Sequence, residues 1–158
     1  MDRNKPLYAA LGRIPSGLFI VTAGRGEQET GMLASWVQQC SFEPPQLTLA
    51  VRRGRDFSDI LTTGAPFTVN ILTEDQTDMI AQFGRGFGPG ESPFEGVEID
   101  RPGGAPPVLT EALGYLECRV AGRMEAGDHD LILGTVIAGA LLHEDAPMVH
   151  IRKSGAHY

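Results

Sequence analysis

The strongest constraint on the fold is a segment in which polar and apolar residues alternate. Residues 46–52 read Gln-Leu-Thr-Leu-Ala-Val-Arg, so the large apolar side chains stand at every second position. A period of two is that of a β-strand with one buried face. Pro44 and Pro45, directly before it, hold the backbone extended and donate no hydrogen bond to a sheet. The segment therefore predicts a strand with one face in the core.

Other short β-rich runs follow one another with few helices between them. They cover residues 17–23, 29–35, 67–72, 114–125, 130–142 and 148–152. Helices are predicted over residues 6–11 and 56–63, with Asp56 as a cap of the second, and a Thr73-Glu-Asp-Gln76 capping box opens a third helix that runs to about Phe83. Strands that do not alternate regularly with helices predict a mainly β, antiparallel, Greek-key-like barrel with a few short helices.

Composition limits the class of protein further. The 158 residues suit one domain spanning residues 1–158, and the net charge of −7 speaks against a nucleic-acid-binding surface. Cys40 and Cys118 are far apart and form no redox or metal motif, and the histidines show no metal-ligand spacing. No apolar stretch is long enough for a signal peptide or a membrane span. We therefore expect a cytoplasmic protein without a metal site.

One basic cluster departs from this acidity, at the end of the alternating strand. Arg52, Arg53 and Arg55 surround Gly54, just before the second predicted helix. Guanidinium groups match phosphate oxygens, and a helix N-terminus offers free N–H groups to an anion. Gly54 lets the backbone come close, and Ser58 adds a hydroxyl donor. The cluster indicates either a site for one phosphate of a mononucleotide or three solvated arginines at a strand end.

A second candidate segment carries polar side chains inside a β-rich region. These residues are Ser35, Gln38, Gln39 and Ser41. Unpaired polar groups are unfavourable in such a place. Their donors and acceptors therefore serve either a ligand with hydroxyls and ring carbonyls or the neighbouring backbone.

The same segment resembles the flavin reductase family. The residues that match the family's cradle motif are Gly31, Met32, Ala34, Ser41, Pro44 and Pro45, with Glu43 at its acidic position. The resemblance continues through residues 47–51, 67–72, 94–96, 127–129 and 153–158. It covers nearly the whole chain from about Leu11, and residues 34–39 are most similar to the reductase modules fused to flavodiiron proteins. It implies an FMN-binding split β-barrel that forms a homodimer with flavin sites near the subunit interface.

The resemblance also assigns flavin contacts residue by residue. On the ring and ribityl side stand Met32, Leu33, Ala34, Ser35, Trp36, Ser41, Ala50, Val51, Arg52, Phe83 and Arg85; near the phosphate stand Arg53, Arg55 and Ser58. Leu33, Ser35 and Trp36 replace the Thr, Asn and Ser usual in the family. A bulky Trp36 either stacks on the flavin or blocks an adenosine, which favours FMN over FAD. Alternatively, Trp36 is a core or dimer-interface aromatic.

His129 lies in an Asp-His-Asp turn. By default such a histidine is a solvated turn residue held by the neighbouring carboxylates. The resemblance instead places it close to the flavin, where it helps to position a nicotinamide. Hydride transfer from nicotinamide to flavin needs alignment rather than a protein acid or base. We therefore expect His129 to affect nicotinamide binding more than the chemical step.

The resemblance leads to alternative functions. The first is an FMN reductase that takes hydride from NADH or NADPH and passes electrons to free flavin or to a partner such as a flavodiiron protein or a monooxygenase. The second is a flavoredoxin-like carrier that holds FMN and exchanges electrons only with proteins; a flavin-storage relative is a third. The loop over residues 84–109, rich in glycine and proline, bears on the choice. A reductase must admit nicotinamide, and a carrier need not.

Overall fold

The chain folds mainly into short antiparallel strands, as the computed structural model shows for residues 5–87 and 90–158. The helices of this part are α1 (Pro6–Leu11), α2 (Asp56–Ile60) and α3 (Thr77–Gly84). The strands are β1 (Ser16–Gly17), β2 (Phe19–Ala23), β3 (Thr30–Ala34), β4 (Val37–Phe42), β5 (Pro45–Arg52), β6 (Pro66–Ile71), β7 (Ile99–Asp100), β8 (Val108–Leu109), β9 (Gly114–Ala126), β10 (His129–Leu141) and β11 (Val149–His150). The predicted mainly β, antiparallel architecture with a few short helices is confirmed.

The largest sheet closes on itself because of how its edge strands are connected. Its strand order in the described residues is β3-β2-β6-β9-β10-β5-β4. The edge strands β3 and β4 are consecutive in the chain, and only Ser35 and Trp36 join them. Three Cα–Cα steps reach at most about 11 Å, whereas a flat sheet of this order is about 29 Å wide. The sheet therefore curls into a barrel with a gap between β3 and β4.

The barrel interior is filled by the apolar faces of its strands. The alternating segment is β5, and its Leu47, Leu49 and Val51 are at most 3% exposed, which confirms the prediction of one buried face. Phe67 is completely buried beside Gly134, where an added Cβ would lie 2.5 Å from the ring. Close packing of this kind fixes the position of β10 relative to β6.

A second apolar cluster joins α3 to the sheet. Its buried members include Leu18, Ile20, Leu72, Met79 and Phe83. Met79 and Phe83 lie four residues apart and therefore share one face of the helix. This contact holds α3 beside the end of the barrel where β3 and β4 separate. No helix in the described part of the chain is both long and apolar enough to cross a membrane.

Two strand predictions are wrong in detail. The strand predicted over residues 17–23 is interrupted at Leu18, so that β1 pairs with β11 while β2 enters the large sheet. The carbonyl of Leu18 instead accepts the backbone N–H of Leu72. Strand β4 was not predicted, because its polar, largely exposed edge lacks the alternation that marks a half-buried strand.

The helix boundaries also differ from the predicted ones. Helix α2 ends at Ile60 rather than residue 63, because Leu61 leaves the helical region with ψ of 54°. Asp56 is its first helical residue and not its cap; Arg55 holds the N-cap position, and no side chain caps the helix. Before α3, the side-chain oxygen of Gln76 accepts the Thr73 N–H at 2.9 Å. Half of the predicted capping box thus forms, in the turn that precedes the helix.

Candidate functional site

A cavity of about 260 Å³ opens at the gap between β3 and β4. It is lined by Leu18, Met32, Leu33, Ala34, Ser35, Trp36, Ala50, Val51, Arg52, Arg55, Ile80, Phe83, Gly84, His150 and Tyr158. A second concavity of about 650 Å³ shares Met32, Arg55, Phe83 and Gly84 with it, so the two adjoin. The link of Ser35 and Trp36 that closes the barrel is therefore also a wall of the site.

The structure brings most of the sequence-predicted site residues to this one cavity. Those that line it are Met32, Leu33, Ala34, Ser35, Trp36, Ala50, Val51, Arg52, Arg55 and Phe83. Those that do not line it are Ser41, Arg53, Ser58, Arg85 and His129. Leu18, Ile80, His150 and Tyr158 were not predicted, because they come from segments that only the fold places beside the cradle.

The cavity has a largely apolar wall that a close glycine contact holds in place. Leu18, Met32 and Phe83 are each at most 9% exposed. The ring of Phe83 lies so close to Gly31 that an added Cβ would be 2.7 Å from its Cε1 atom. Phe83 is enclosed further by Phe87, whose ring centroid is 5.5 Å away. This wall of the cavity is therefore apolar and closely packed.

Two arginines supply positive charge to the same cavity. Arg52 ends β5, and Arg55 follows Gly54, whose φ of 87° makes the tight turn between them. Neither arginine side chain makes a hydrogen bond or an ion pair with another described residue. Both guanidinium groups are therefore available to an anion. The helix after them is only five residues long and carries Asp56 and Asp59 in its first turn, so arginines rather than the helix would attract it.

The side chains of Arg53 and Ser58 contact groups outside the cavity. The Arg53 Nε atom lies 3.5 Å from Asp130, and its Nη2 atom donates to the carbonyl of His129 at 3.3 Å. Ser58 is 2% exposed, and its hydroxyl donates to Asp130 at 3.0 Å. The side chains of Arg53 and Ser58 therefore face Asp130 rather than the cavity, and of the expected phosphate contacts only Arg55 lines the cavity, together with Arg52.

The remaining polar candidates have partners outside the cavity. Gln38 donates to the Gln39 carbonyl and Gln39 to the Ser41 carbonyl, so neighbouring backbone satisfies these exposed amides. Arg85 lies 3.6 Å from Glu91 and 5.3 Å from the centre of the Phe87 ring. In residues 5–87 and 90–158, no three His, Cys, Asp or Glu side chains are grouped as metal ligands.

Trp36 lies in a cluster of rings on the cavity wall. Its ring centre is 4.8 Å from that of His129 and 5.3 Å from that of Tyr158. The guanidinium of Arg152 lies 5.2 Å from the Trp36 ring centre, within cation–π range. Trp36 is half-buried at the site, so it is not a residue of the barrel core.

His129 is buried, and the expectation of a solvated turn residue is wrong. It is 8% exposed, with Nδ1 2.6 Å from an Asp128 carboxylate oxygen and Nε2 hydrogen-bonded to the Tyr158 hydroxyl. Burial raises the pKa of Tyr158, which keeps that hydroxyl protonated and able to donate. Because an ionised carboxylate only accepts, Nδ1–H donates to Asp128, while the Tyr158 hydroxyl can donate to or accept from Nε2. The other carboxylate of the turn, Asp130, faces Ser58 instead.

The fold and this site together define a class of protein. Residues 11–156 match the model of the flavin reductase like domain. The chain therefore belongs to the flavin reductase-like family, and the resemblance noted from the sequence is confirmed.

Individual relatives sharpen the comparison. The chain is 45% identical over 151 residues to putative diflavin flavoprotein A 6 of Nostoc sp., covering 94% of this chain and 26% of that protein. It is 42% identical over 157 residues to diflavin flavoprotein A 1 of Synechocystis sp., covering 98% and 27%. The chain thus spans about a quarter of the length of these curated relatives. The predicted similarity to the reductase modules of flavodiiron proteins is confirmed.

A solved structure supports the fold. The NADH:FAD oxidoreductase SgcE6 of Streptomyces globisporus C-1027 superposes with a TM-score of 0.83 at 27% identity, covering 94% of this chain and 87% of that chain. The predicted split barrel of the flavin reductase type is thereby confirmed.

Proposed function

We propose that this chain is a flavin reductase that binds FMN in the cavity at the β3–β4 gap and passes hydride to it from NADH or NADPH. The observation that carries the proposal is the combination of a buried apolar wall with two arginines whose side chains make no hydrogen bond or ion pair with the described residues. FMN pairs a flat, largely apolar ring with a single phosphate, and it therefore matches both features. Three buried or aromatic residues, Met32, Val51 and Phe83, would contact the ring, and Arg52 and Arg55 the phosphate.

The residues of the chain contribute binding and alignment to this reaction. When bound, the flavin itself supplies the hydride-accepting chemistry. The apolar, little-exposed side chains of Met32, Val51 and Phe83 would exclude water from the ring, and Ser35, which also lines the cavity, could hydrogen-bond to ribityl hydroxyls. Holding two reactants at a fixed separation is the main contribution a protein makes to such a transfer.

The preference for FMN over FAD rests on Trp36. Its indole lies between His129, Tyr158 and Arg152, so this side of the cavity is already occupied by packed rings. An adenosine attached to the phosphate needs additional room. The similar oxidoreductase SgcE6 is named for FAD, and FAD is therefore included in the binding test below.

A second candidate, an FMN-dependent electron carrier, is favoured by one observation. The side chain of His129, which the resemblance assigns to nicotinamide positioning, is hydrogen-bonded through Nε2 to Tyr158. A reductase must exchange that bond for nicotinamide, whereas a carrier can keep it.

The proposed partners follow from length and surface. Since the matched relatives are diflavin flavoproteins about four times as long, we propose a flavodiiron unit as the electron acceptor, with free flavin or a monooxygenase as the alternatives. Leu141, Val149 and Ile151 are exposed by 71%, 66% and 55%. We propose that these exposed apolar side chains contribute to a homodimer contact.

The purified chain provides the first test of the function. It is titrated with FMN, FAD and riboflavin, and the oxidation of NADH and of NADPH is then followed with the flavin that binds. The proposal expects the tightest binding for FMN and turnover with at least one nicotinamide nucleotide. Tight FMN binding without any turnover would leave the carrier in its place. Absence of binding to all three flavins would contradict both.

The phosphate contact has its own test. Arg55→Ala removes an arginine whose side chain makes no hydrogen bond or ion pair in residues 5–87 and 90–158, and Arg25→Ala removes an exposed arginine outside the cavity as a control for net charge. A charge-assisted hydrogen bond contributes about 1.5–3 kcal/mol, so FMN should bind about 10- to 100-fold more weakly to Arg55→Ala. Riboflavin, which has no phosphate, should bind as to the wild type. Equal weakening of both flavins would refute the assignment.

A further inference from the structure

One carboxylate outside the cavity connects several of the groups around Arg55. Asp130, the second residue of β10, has a side chain that is 13% exposed. It accepts hydrogen bonds from the Ser58 hydroxyl at 3.0 Å and from Arg123 Nη2 at 3.1 Å, and Arg53 Nε lies 3.5 Å away. A buried carboxylate with three such partners is fixed in position.

These partners enclose the turn that carries Arg55. Arg53 lies two residues before Arg55, and Ser58 lies three residues after it. Asp130 therefore holds the turn at both ends, while Arg55 between them makes no side-chain hydrogen bond or ion pair within the described chain. The backbone N–H of Arg53 adds a further link by donating to the Asp128 carbonyl at 3.0 Å.

Arg123 on β9 extends the same network to the end of α2. Its Nη1 atom donates to the carbonyls of Ser58 at 2.7 Å and Leu61 at 2.8 Å. Ser58 lies inside the five-residue helix α2, and Leu61 is its C-cap residue. The short helix after Arg55 is thus tied to β9 and β10 rather than held by caps of its own.

Asp130 is ionised, and its side chain points toward α2. Burial acts to raise its pKa, but the Ser58 hydrogen bond and the charges of Arg123 and Arg53 outweigh burial and hold the pKa below its usual range. The carboxylate is therefore ionised near neutral pH. Since side chains alternate along a strand, Asp130 faces α2 while the preceding His129 faces Trp36.

We propose that Asp130 is a positioning residue for phosphate recognition, holding the turn of residues 53–58 so that Arg55 faces the cavity. It touches neither the cavity nor the flavin and acts through Arg55. The inference rests on the proposed function, because the group that Arg55 reads is the phosphate of FMN. Its consequence is that the preference for FMN over riboflavin is set partly by a residue outside the site.

If Asp130 acted on the bound phosphate only through its charge, its removal would change FMN affinity in the opposite direction to a loss of positioning. Removing the negative charge of Asp130 leaves the surroundings of Arg55 more positive, and Coulomb attraction alone would then tighten the binding of a phosphate. Loss of positioning loosens Arg55 and weakens that binding. A purely structural role would weaken FMN and riboflavin alike, because the ring-binding wall would be affected for both ligands.

The test measures FMN and riboflavin affinities for Asp130→Asn, Arg55→Ala and the double variant. Asp130→Asn should weaken FMN by about tenfold and leave riboflavin within about twofold, which is within the range of coupling between residues of one network. In the Arg55→Ala background, Asp130→Asn should have no further effect on FMN. Ser58→Ala removes one of the three contacts without changing any charge and should weaken FMN in the same direction by a smaller factor.

Each other outcome has a definite meaning. Tighter FMN binding by Asp130→Asn, equal loss of both flavins, or additive effects in the double variant would overturn the positioning role while Arg55 keeps its own. If Asp130→Asn does not fold, as judged by its circular dichroism spectrum, Ser58→Ala decides, and an unchanged FMN affinity for that variant overturns the inference. If the wild type binds FMN no better than riboflavin, the phosphate site of the proposed function fails as well.

Discussion

Gly31 offers a sharp test of how the cavity wall is built. In Gly31→Ala the new Cβ would lie 2.7 Å from Cε1 and 3.1 Å from Cδ1 of Phe83. The ring must therefore retreat by several tenths of an ångström to reach ordinary contact at 3.4 Å. Phe87 and Phe94 pack around Phe83, with ring centres 5.5 and 5.9 Å away. The open cavity is the space that remains, so the displaced ring should narrow the flavin site.

The expected size of the effect follows from overpacking. Added methyl groups in a well-packed region reduce stability by about 1–3 kcal/mol. Gly31→Ala should lower the free energy of unfolding by that amount in a denaturant titration and should also weaken flavin binding. Gly84→Ala is the matched control, because Gly84 lines the same cavity but its added Cβ would meet only Leu33 Cδ2, at 3.4 Å. If both variants match the wild type in stability and flavin affinity, the reasoning about this wall is wrong.

Three further predictions concern other residues. Cys40 is exposed, whereas burial raises the pKa of Cys118 to about 12. A thiol reagent at neutral pH should therefore modify Cys40 in the folded protein and Cys118 only after unfolding. Rapid labelling of both thiols would contradict the buried position of Cys118. The hydrogen bond from His129 holds the pKa of Asp128 below its usual range. Its stabilisation should be complete above about pH 4 and disappear as the pH falls through the folded pKa, so denaturant midpoints of the wild type and Asp128→Asn should converge in acid. Tyr158→Phe keeps the ring but removes the hydroxyl that is hydrogen-bonded to His129 Nε2. The KM for the nicotinamide nucleotide should then fall by about two- to tenfold, with flavin affinity unchanged. A raised KM would show that the Tyr158 hydroxyl assists nicotinamide binding instead.

The sequence allowed the fold class to be predicted because period-two patterns report burial directly. The alternation in β5 and the apolar runs of β6 and β10 identify strands that bury side chains, and these were found. Strand β4 was not predicted, because it has no regularly buried face and therefore no period-two pattern. As an exposed edge strand, it takes its place through backbone pairing with β5, and its residues carry no pattern for that.

The site was predictable where it lies on consecutive residues. Residues 32–36 and 50–52 follow the chain, so a resemblance could assign them together. The distinction between Arg53 and Arg55 was not available from spacing, because it depends on which of the two meets Asp130. Tyr158 was not predicted as a cavity residue, because it contacts His129, which is 29 residues away in the sequence, only in the folded chain.

The central claim is that FMN binds in the cavity that Trp36 lines, and the intrinsic fluorescence of this residue tests it most directly. Trp36 is the single tryptophan of the chain and lines the cavity. Titration with FMN should quench its emission saturably, reaching the end point at about one FMN per chain, with the same affinity that equilibrium dialysis measures. Trp36→Phe gives the background from tyrosine and from light absorbed by FMN. Saturable FMN binding in dialysis that leaves the Trp36 emission unchanged would contradict the location of the site.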